Sequence, residues 1–436
     1  MSAHKHPLDR EKGIMPTIDR RAFLGTTLGG LTTLAAGACP WSQGRPPAAK
    51  IGWRPDTLFL TWRRDPTTTM MVQWIAPTRA DGISIGYTEA GETTLWRSIA
   101  TKQHLYPMTD LHVFRAELTG LRPGTEYLFQ IGGNPTTHKF RTMPARATDT
   151  FQFVSGGDCG VNEHAVANNI MAAAQEPMFA LIGGDLAYDN GRNADTSLEF
   201  VRNYSRHMID PRGRLIPMVV GIGNHEVNGS YGKTREAAPF YLALHDGLYA
   251  ERTFATLDFG DYLSLVLLDT GHIAPIDGEQ TAWLDKALAE RTERPHLIAV
   301  NHVPAYPPYR PYESDGDKVG TGALNREHWI PLFERHNVDV VLEHHDHTFK
   351  RTHPLKDGLV NANGIVYLGD GSWGKLRAPK SPQERPYLAT TSGSYHMTLH
   401  RLEGEQRFHV AIEETGRIAD ICTTRKRPRR VVGRSG

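Results

Sequence analysis

The run "DVVLEHHDHTFKR", Asp339 to Arg351, places three histidines and an aspartate within four positions, directly after apolar residues. Imidazole and carboxylate are metal ligands, and donors one residue apart can serve one ion or two neighbouring ions. The chain holds 21 histidines, so composition alone could scatter such a cluster, and the run must be weighed with what else the chain supplies. Four further segments share its form, an apolar run ending in a metal-competent side chain: "FVSGGDCG" (Asp158), "ALIGGDLAY" (Asp185, Tyr188), "VVGIGNHE" (Asn224, His225, Glu226) and "IAVNHVPAY" (His302). Each alone is an ordinary turn. Jointly, five run ends supply carboxylates, an amide, a phenol and imidazoles, the last two being His345 and His347.

The elements that must carry these residues can be read from pattern. From about residue 150, apolar runs such as "FQFVSGGD", "MFALIGGD", "IPMVVGIGNH", "YLSLVLLDT", "HLIAVNH", "VDVVLEHHDH" and "GIVYLGDGS" read as buried strands. "HAVANNIMAAAQE", "EQTAWLDKALAERT" and "REHWIPLFERHN" read as helices between them. This alternation predicts an α/β domain of layered βαβ units over 150–415, and open α/β sheets place ligands at the carboxyl ends of their strands. Residues 55–145 differ. Short runs rich in β-branched and aromatic residues, separated by turn signals, predict a β-sandwich. Leu121-x-Pro-Gly-x-x-Tyr127 resembles the tyrosine corner of a fibronectin type III-like domain.

Composition sets the outer bounds. The chain has 436 residues, 39% apolar and 22% charged, with net charge +1. No bulk electrostatic argument favours a nucleic acid or a membrane as partner. Three cysteines, Cys39, Cys159 and Cys422, exclude a disulfide scaffold and a cysteine-rich zinc site. Residues 1–38 contain Arg20-Arg21, then Phe23-Leu24 and a weakly apolar stretch, a form that resembles a twin-arginine export signal and is too short and too polar to span a membrane. Export to the periplasm or the exterior is the expectation. Cys39 after Ala36-Gly37-Ala38 opens a second reading, a lipidated cysteine, against which stands the missing Leu of a lipobox. Residues 39–54 read as a linker, and 416–436, ending "RKRPRR", as a solvated basic tail.

In this order, Gly157-Asp158-x-Gly160, Gly184-Asp185-x-x-Tyr188, Gly223-Asn224-His225-Glu226, His302 and His345-x-His347 resemble the purple acid phosphatases, a branch of the calcineurin-like metallophosphoesterases. Gly-Asp-x-x-Tyr is the most specific of these motifs. The wider superfamily usually has a histidine where this chain has Gly160. The resemblance extends over the whole chain after the leader, because that family also has a fibronectin-like domain first. It implies two metal ions: Asp158, Tyr188 and His347 on Fe(III), Asn224, His302 and His345 on a divalent Fe, Zn or Mn, with Asp185 bridging. It implies hydrolysis of phosphate monoesters of small molecules by a metal-bound hydroxide attacking phosphorus in line, with His225 acting on the phosphate or leaving group and Glu226 orienting a histidine.

The chain also departs from that pattern. Plant-type members have further histidines after the position of His302, and "HVPAYPPYRPYESDGDK" has none. Arg310 is the candidate partner for a phosphate oxygen. His344 stands where the family usually has Gly; if that position needs positive φ, His344 carries strain, and its roles are a group behind the ligands, a substitute proton donor or none. With an extended backbone, His345 and His347 point one way and His344 the other. Asp370 and Trp373 of "LGDGSWGK" are expected near the rim, and Cys159 as a small packed side chain. The rivals to a monoesterase are a phosphodiesterase on nucleotides or lipid head groups and, in another class, an envelope binding protein with a structural metal site. Oligomeric state is left open.

Overall fold

The computed structural model describes residues 55–427, apart from 79–82, 93, 133, 147–149 and 317. The expected leader and linker, Cys39 and residues 428–436 of the basic tail lie outside the described residues.

Eight strands form the sandwich: β1 (Phe59–Thr61), β2 (Met70–Pro77), β3 (Ser84–Glu89), β4 (Arg97–Ala100), β5 (Lys102–Leu105), β6 (Leu111–Leu118), β7 (Glu126–Ile131) and β8 (His138–Arg141). One sheet runs β1-β2-β6-β5 and the other β4-β3-β7-β8. Alternation sets the inner faces: in β7, Tyr127, Phe129 and Ile131 are buried while Glu126, Leu128 and Gln130 are only partly so. The tyrosine corner forms, with Tyr127 Oη accepting from the Arg122 amide (2.8 Å) and donating to Glu89 (3.2 Å).

The second region carries β9 (Phe151–Gly156), α1 (Glu163–Ala174), β10 (Ala180–Ile182), α2 (Ala194–His207), β11 (Met218–Val220), α3 (Pro239–His245), β12 (Ala255–Phe259), β13 (Leu263–Leu267), α4 (Glu279–Ala289) and β14 (His296–Asn301). It continues with α5 (Ala323–His328), α6 (Ile330–Arg335), β15 (Val340–Glu343), β16 (Phe349–Thr352), the ribbon β17 (Leu355–Lys356) and β18 (Leu359–Val360), β19 (Val366–Asp370) and β20 (Leu388–Ser392), then β21 (His396–Glu403), β22 (Gln406–Glu413) and β23 (Ile418–Arg425).

A first sheet has the order β11-β10-β9-β21-β22-β23 and a second β12-β13-β14-β15-β19-β16-β20. Both have a parallel centre, β9 to β11 in one and β13-β14-β15-β19 in the other, edged by antiparallel strands. The architecture is therefore α/β and layered, as expected, with two mixed sheets. β19 packs on β9 and β21, so the sheets lie face to face. Helices cover the outside: α1 meets α2 and β21, while Leu284 and Leu288 of α4 and Phe333 of α6 join Leu297, Val341 and Tyr367 in the second sheet's core.

Part of the stretch from residue 416 expected as a solvated tail is ordered structure. Ile418–Arg425 is a strand paired along β22. Lys426 donates to Arg294 O (2.6 Å), and Arg427 donates to Val338 O, so these two cations are anchored at the amino ends of β14 and β15. The helix expected over 326–337 is two short helices broken at Trp329, because Pro331 lacks the amide that would continue the ladder. The sandwich docks on the β11 edge through Thr61 Oγ1 to Met218 O (2.7 Å), Gln73 Nε2 to Leu244 O (2.8 Å) and the Trp62 ring edge on Phe179 and Phe259.

Candidate metal centre

The loops after β9, β10 and β11 carry Asp158, Asp185, Tyr188 and Asn224. The loops after β14 and β15 carry His302, His345 and His347. The first sheet thus supplies the oxygen donors and the second the imidazoles, and they meet across the seam. Asp158, Asp185 and His347 gather within 4.8 Å of one another, as do Asp185, His302 and His345. Around the first group, Tyr188 Oη lies 3.0 Å from His347 Nε2 and 3.2 Å from Asp158 Oδ1. Around the second, His302 Nε2 lies 3.2 Å from Asn224 Oδ1, 3.2 Å from His345 Nδ1 and 3.4 Å from Asp185 Oδ1.

The donor set fits two cations. Asp185 Oδ2 is buried with no hydrogen-bond partner among the described residues, which is costly unless a cation meets it. Burial works to raise the Asp185 carboxyl, yet His302 and its neighbours hold it well below the usual range. Burial works to lower His302, yet Asp185 raises it to about 9. Burial and the Asp158 charge push the Tyr188 phenol well above its ordinary value, so a cation would be needed to make it a phenolate.

Backbone geometry is unusual here. Asp158, Asp185, Tyr188, His345 and His347 all have positive φ, between 54° and 71°. For non-glycine residues this costs about 1 kcal/mol each, and clustered strain of this kind marks functional sites. Cross-loop bonds hold it: Asp158 N to Gly184 O (3.1 Å), Cys159 N to Asp185 O (2.9 Å) and Gly160 N to Leu186 O (2.9 Å). Asp158 Oδ2 accepts the His345 amide (2.8 Å), tying the two sheets together.

Several expectations change. Residues 344–348 are a bend, not extended strand, so alternation does not separate the three histidines. The positive φ falls on His345 and His347 and not on His344. His344 is buried behind the ligands, with Nδ1 2.9 Å from Asn301 O. A Cβ at Gly183 would sit 1.9 Å from its ring and one at Gly157 2.7 Å away, so both glycines make room for it. A proton donor to substrate it is not; it fills the gap beneath two ligand loops. Glu226 does not orient a histidine. Its carboxylate accepts the amides of Asp185 (2.8 Å), Leu186 (2.7 Å) and Gly223 (2.7 Å), joining the loops after β10 and β11. Arg310 Nη1 donates to His345 O and Asp346 Oδ1, both 2.7 Å, so that nitrogen braces the ligand loop. Asp370 and Trp373 are fully buried rather than at a rim; Trp373 Nε1 donates to Asn169 Oδ1 (3.0 Å). Cys159 is buried and, like Cys422, unpaired with another cysteine.

His225 faces the site. Its amide donates to Asp185 Oδ1 (2.8 Å), and its ring tilts over Tyr188 at 4.2 Å between centroids. Asn190 donates from Nδ2 to Tyr188 O (3.2 Å), which turns its Oδ1 towards His225 Nδ1. That contact assigns the proton to Nδ1 and leaves Nε2, 3.9 Å from Asp185 Oδ2, as the free nitrogen. Four residues at the site carried no usable motif: Asn190, Tyr231, Lys375 and Arg377. Tyr231 Oη lies 3.4 Å from His345 Nε2, seven residues after Asn224 in a loop whose only signal was its position.

Residues 108–349 match the calcineurin-like phosphoesterase family, and residues 55–154 match the purple acid phosphatase N-terminal domain. The chain belongs to the calcineurin-like phosphoesterases, a family of phosphoesterase enzymes, and within them to the purple acid phosphatase branch. It is 24% identical to purple acid phosphatase 21 of Arabidopsis thaliana over 62% of this chain, a match spanning 62% of that relative's length. It is 26% identical to human acid phosphatase type 7 over 87% of this chain and 91% of that one. The solved purple acid phosphatase PPD1 of yellow lupin superposes with a TM-score of 0.71 at 15% identity, over 84% of this chain and 73% of that one, which shows the same fold. The branch is dinuclear and metal-dependent, in keeping with the two donor groups. No helix among the described residues is long and apolar enough to cross a membrane.

Proposed function

We propose that this protein is an exported phosphatase that hydrolyses phosphate monoesters of small molecules with two bound metal ions. The observation that carries it is the pair of donor groups sharing Asp185 across the seam. Asp158, Tyr188 and His347 offer hard anionic donors and one imidazole, a set for Fe(III). Asn224, His302 and His345 offer neutral donors, a set for divalent Fe, Zn or Mn. Asp185, with one orphan oxygen and a place in both donor groups, would be the residue shared by the two ions. When bound, such a pair supplies an activated water and neutralises charge on the phosphoryl oxygens.

The chain's own groups do the rest. His225 Nε2, with Asn190 on the far nitrogen, is placed to hydrogen-bond the phosphate or pass a proton to the leaving oxygen when the ring is in its doubly protonated, imidazolium form. Arg310 and Glu226 fix the ligand loops. The test is metal analysis of the purified protein with parallel assays of an aryl phosphate and a bis-aryl phosphate across pH. Faster turnover of the monoester at two metals per chain supports the reading. Faster turnover of the diester replaces it with a phosphodiesterase, and turnover of neither at full metal content replaces it with a binding protein. The twin-arginine reading of residues 1–38 is tested by secretion of a fused reporter that fails when Arg20 and Arg21 are both changed to Lys.

A further inference from the structure

The mouth of the metal centre has a rim that the proposed reaction does not use. Tyr231, Tyr309 and Leu376 are 43%, 42% and 38% exposed, large for apolar side chains. All three are tied to the bend carrying His345 and His347. Tyr231 Oη lies against His345 Nε2. The Tyr309 amide donates to Asp346 Oδ2 (2.9 Å). Arg377, next to Leu376, donates its amide to His347 O (2.8 Å). Two cations lie over rings: the Arg377 guanidinium 5.1 Å from the Tyr309 centroid and Lys375 Nζ 4.5 Å from that of Tyr188.

The segments are held rather than loose. Tyr387 Oη donates to Pro307 O (2.7 Å) and the Lys380 amide to Pro308 O (2.7 Å), which pins the Pro/Tyr loop beside the 375–387 stretch. A tyrosine face backed by a guanidinium and open on its other side is a stacking platform.

We infer that this rim is a leaving-group subsite for a planar aromatic ring, so that aromatic-bearing phosphate esters are preferred over sugar and polyol phosphates. The inference rests on the phosphatase reading above. Adenosine 5′-monophosphate and ribose 5-phosphate share the same scissile bond to a primary alcohol, so a difference between them reports the ring and not the chemistry. Expected for the metal-loaded wild type is a kcat/KM about tenfold higher for the nucleotide, carried mostly in KM. Tyr309→Ala should shrink the ratio to within about twofold while leaving ribose 5-phosphate turnover unchanged, and Tyr309→Phe and Tyr231→Phe should keep it. Equal kcat/KM for the two esters in the wild type, or a ratio that survives Tyr231→Ala/Tyr309→Ala together, overturns the inference. If neither ester nor an aryl phosphate is turned over, the phosphatase reading fails instead, and the same nucleotide-to-sugar ratio measured as binding by calorimetry still decides the subsite.

Discussion

At the scale of single residues, the centre depends on side chains whose neighbours determine what they can do. Tyr188 is a proposed ligand, and burial and the Asp158 charge push its phenol well above its ordinary value. Tyr188→Phe should therefore abolish a visible absorption band near the violet in the metal-loaded protein. A colourless wild type with full metal content would remove Fe(III)–phenolate from the proposal. His344 gives a sharper test. Gly183→Ala should drive a methyl into its ring and cost several kcal/mol, whereas His344→Gly leaves a gap of about 2 kcal/mol or more. In the double variant the clash is gone, so thermal unfolding should recover most of the Gly183→Ala loss; an additive cycle would refute the packing relation. The family resemblance sorted His345 and His347 from His344 in the opening run, whereas the alternation argument assumed a strand where the chain bends. Positive φ at His345 and His347 is invisible in residue types that rarely adopt it.

At the scale of elements, the ligands are distributed over two sheets, and small polar clamps set their spacing. Glu226 joins two loops through three amides. Glu226→Gln replaces one acceptor oxygen by a donor facing an amide, and metal affinity should fall about 10- to 100-fold with the fold intact, measured by competition with a chelator. The parallel strands that lead to the ligands were legible because they are buried on both faces and read as continuous apolar runs. The antiparallel edge β21-β22-β23 was not. Its buried positions include His396, Thr398, His400, Arg407 and His409, which break the apolar alternation. These groups instead satisfy one another: His400 bonds Ser155 (2.6 Å) and His409 (2.7 Å), and Arg407 pairs with Asp339 (3.1 Å). Polar interiors of this kind need tertiary partners that sequence patterning does not display. Helix α2 was missed for a related reason: it buries Leu198, Val201 and Tyr204 on one face but opens in an Asn- and Asp-rich stretch that reads as loop.

At the scale of the whole molecule, buried histidines make stability depend on pH. Burial lowers His400 to about 4 and His245 to about 3; burial and then Arg407 lower His296 to about 3. Each is depressed below its unfolded value near 6.5, so its contribution is complete above pH 6.5 and is lost as pH falls towards the folded value. The unfolding free energy of the metal-free protein should drop between pH 6.5 and 4.5 by up to about 1.4 kcal/mol per pH unit for each histidine, read as a falling thermal midpoint. His245→Leu should flatten that slope by one proton's share, and an unchanged slope would exclude His245 as a contributor. Metal should offset the loss, because ions held by donors from both sheets bind only the folded form; at a hundredfold excess over Kd each adds about 2.7 kcal/mol.

The pairing order of the first sheet also sets a timetable for synthesis. One edge of β9 is covered by β10, which follows within thirty residues, but its other edge waits for β21, whose partner residues 398–402 pair with 151–155. On the ribosome, the strand that ends at Asp158 is therefore half-dressed while more than two hundred further residues emerge. Until β21 to β23 arrive, the nascent chain presents an open strand edge of the kind that recruits other chains. A protein released short of β21 would have every motif of the metal centre in its sequence but only half of the first sheet to hold the loops after β9, β10 and β11, which makes the final strands, remote from the chemistry, the step that completes that sheet.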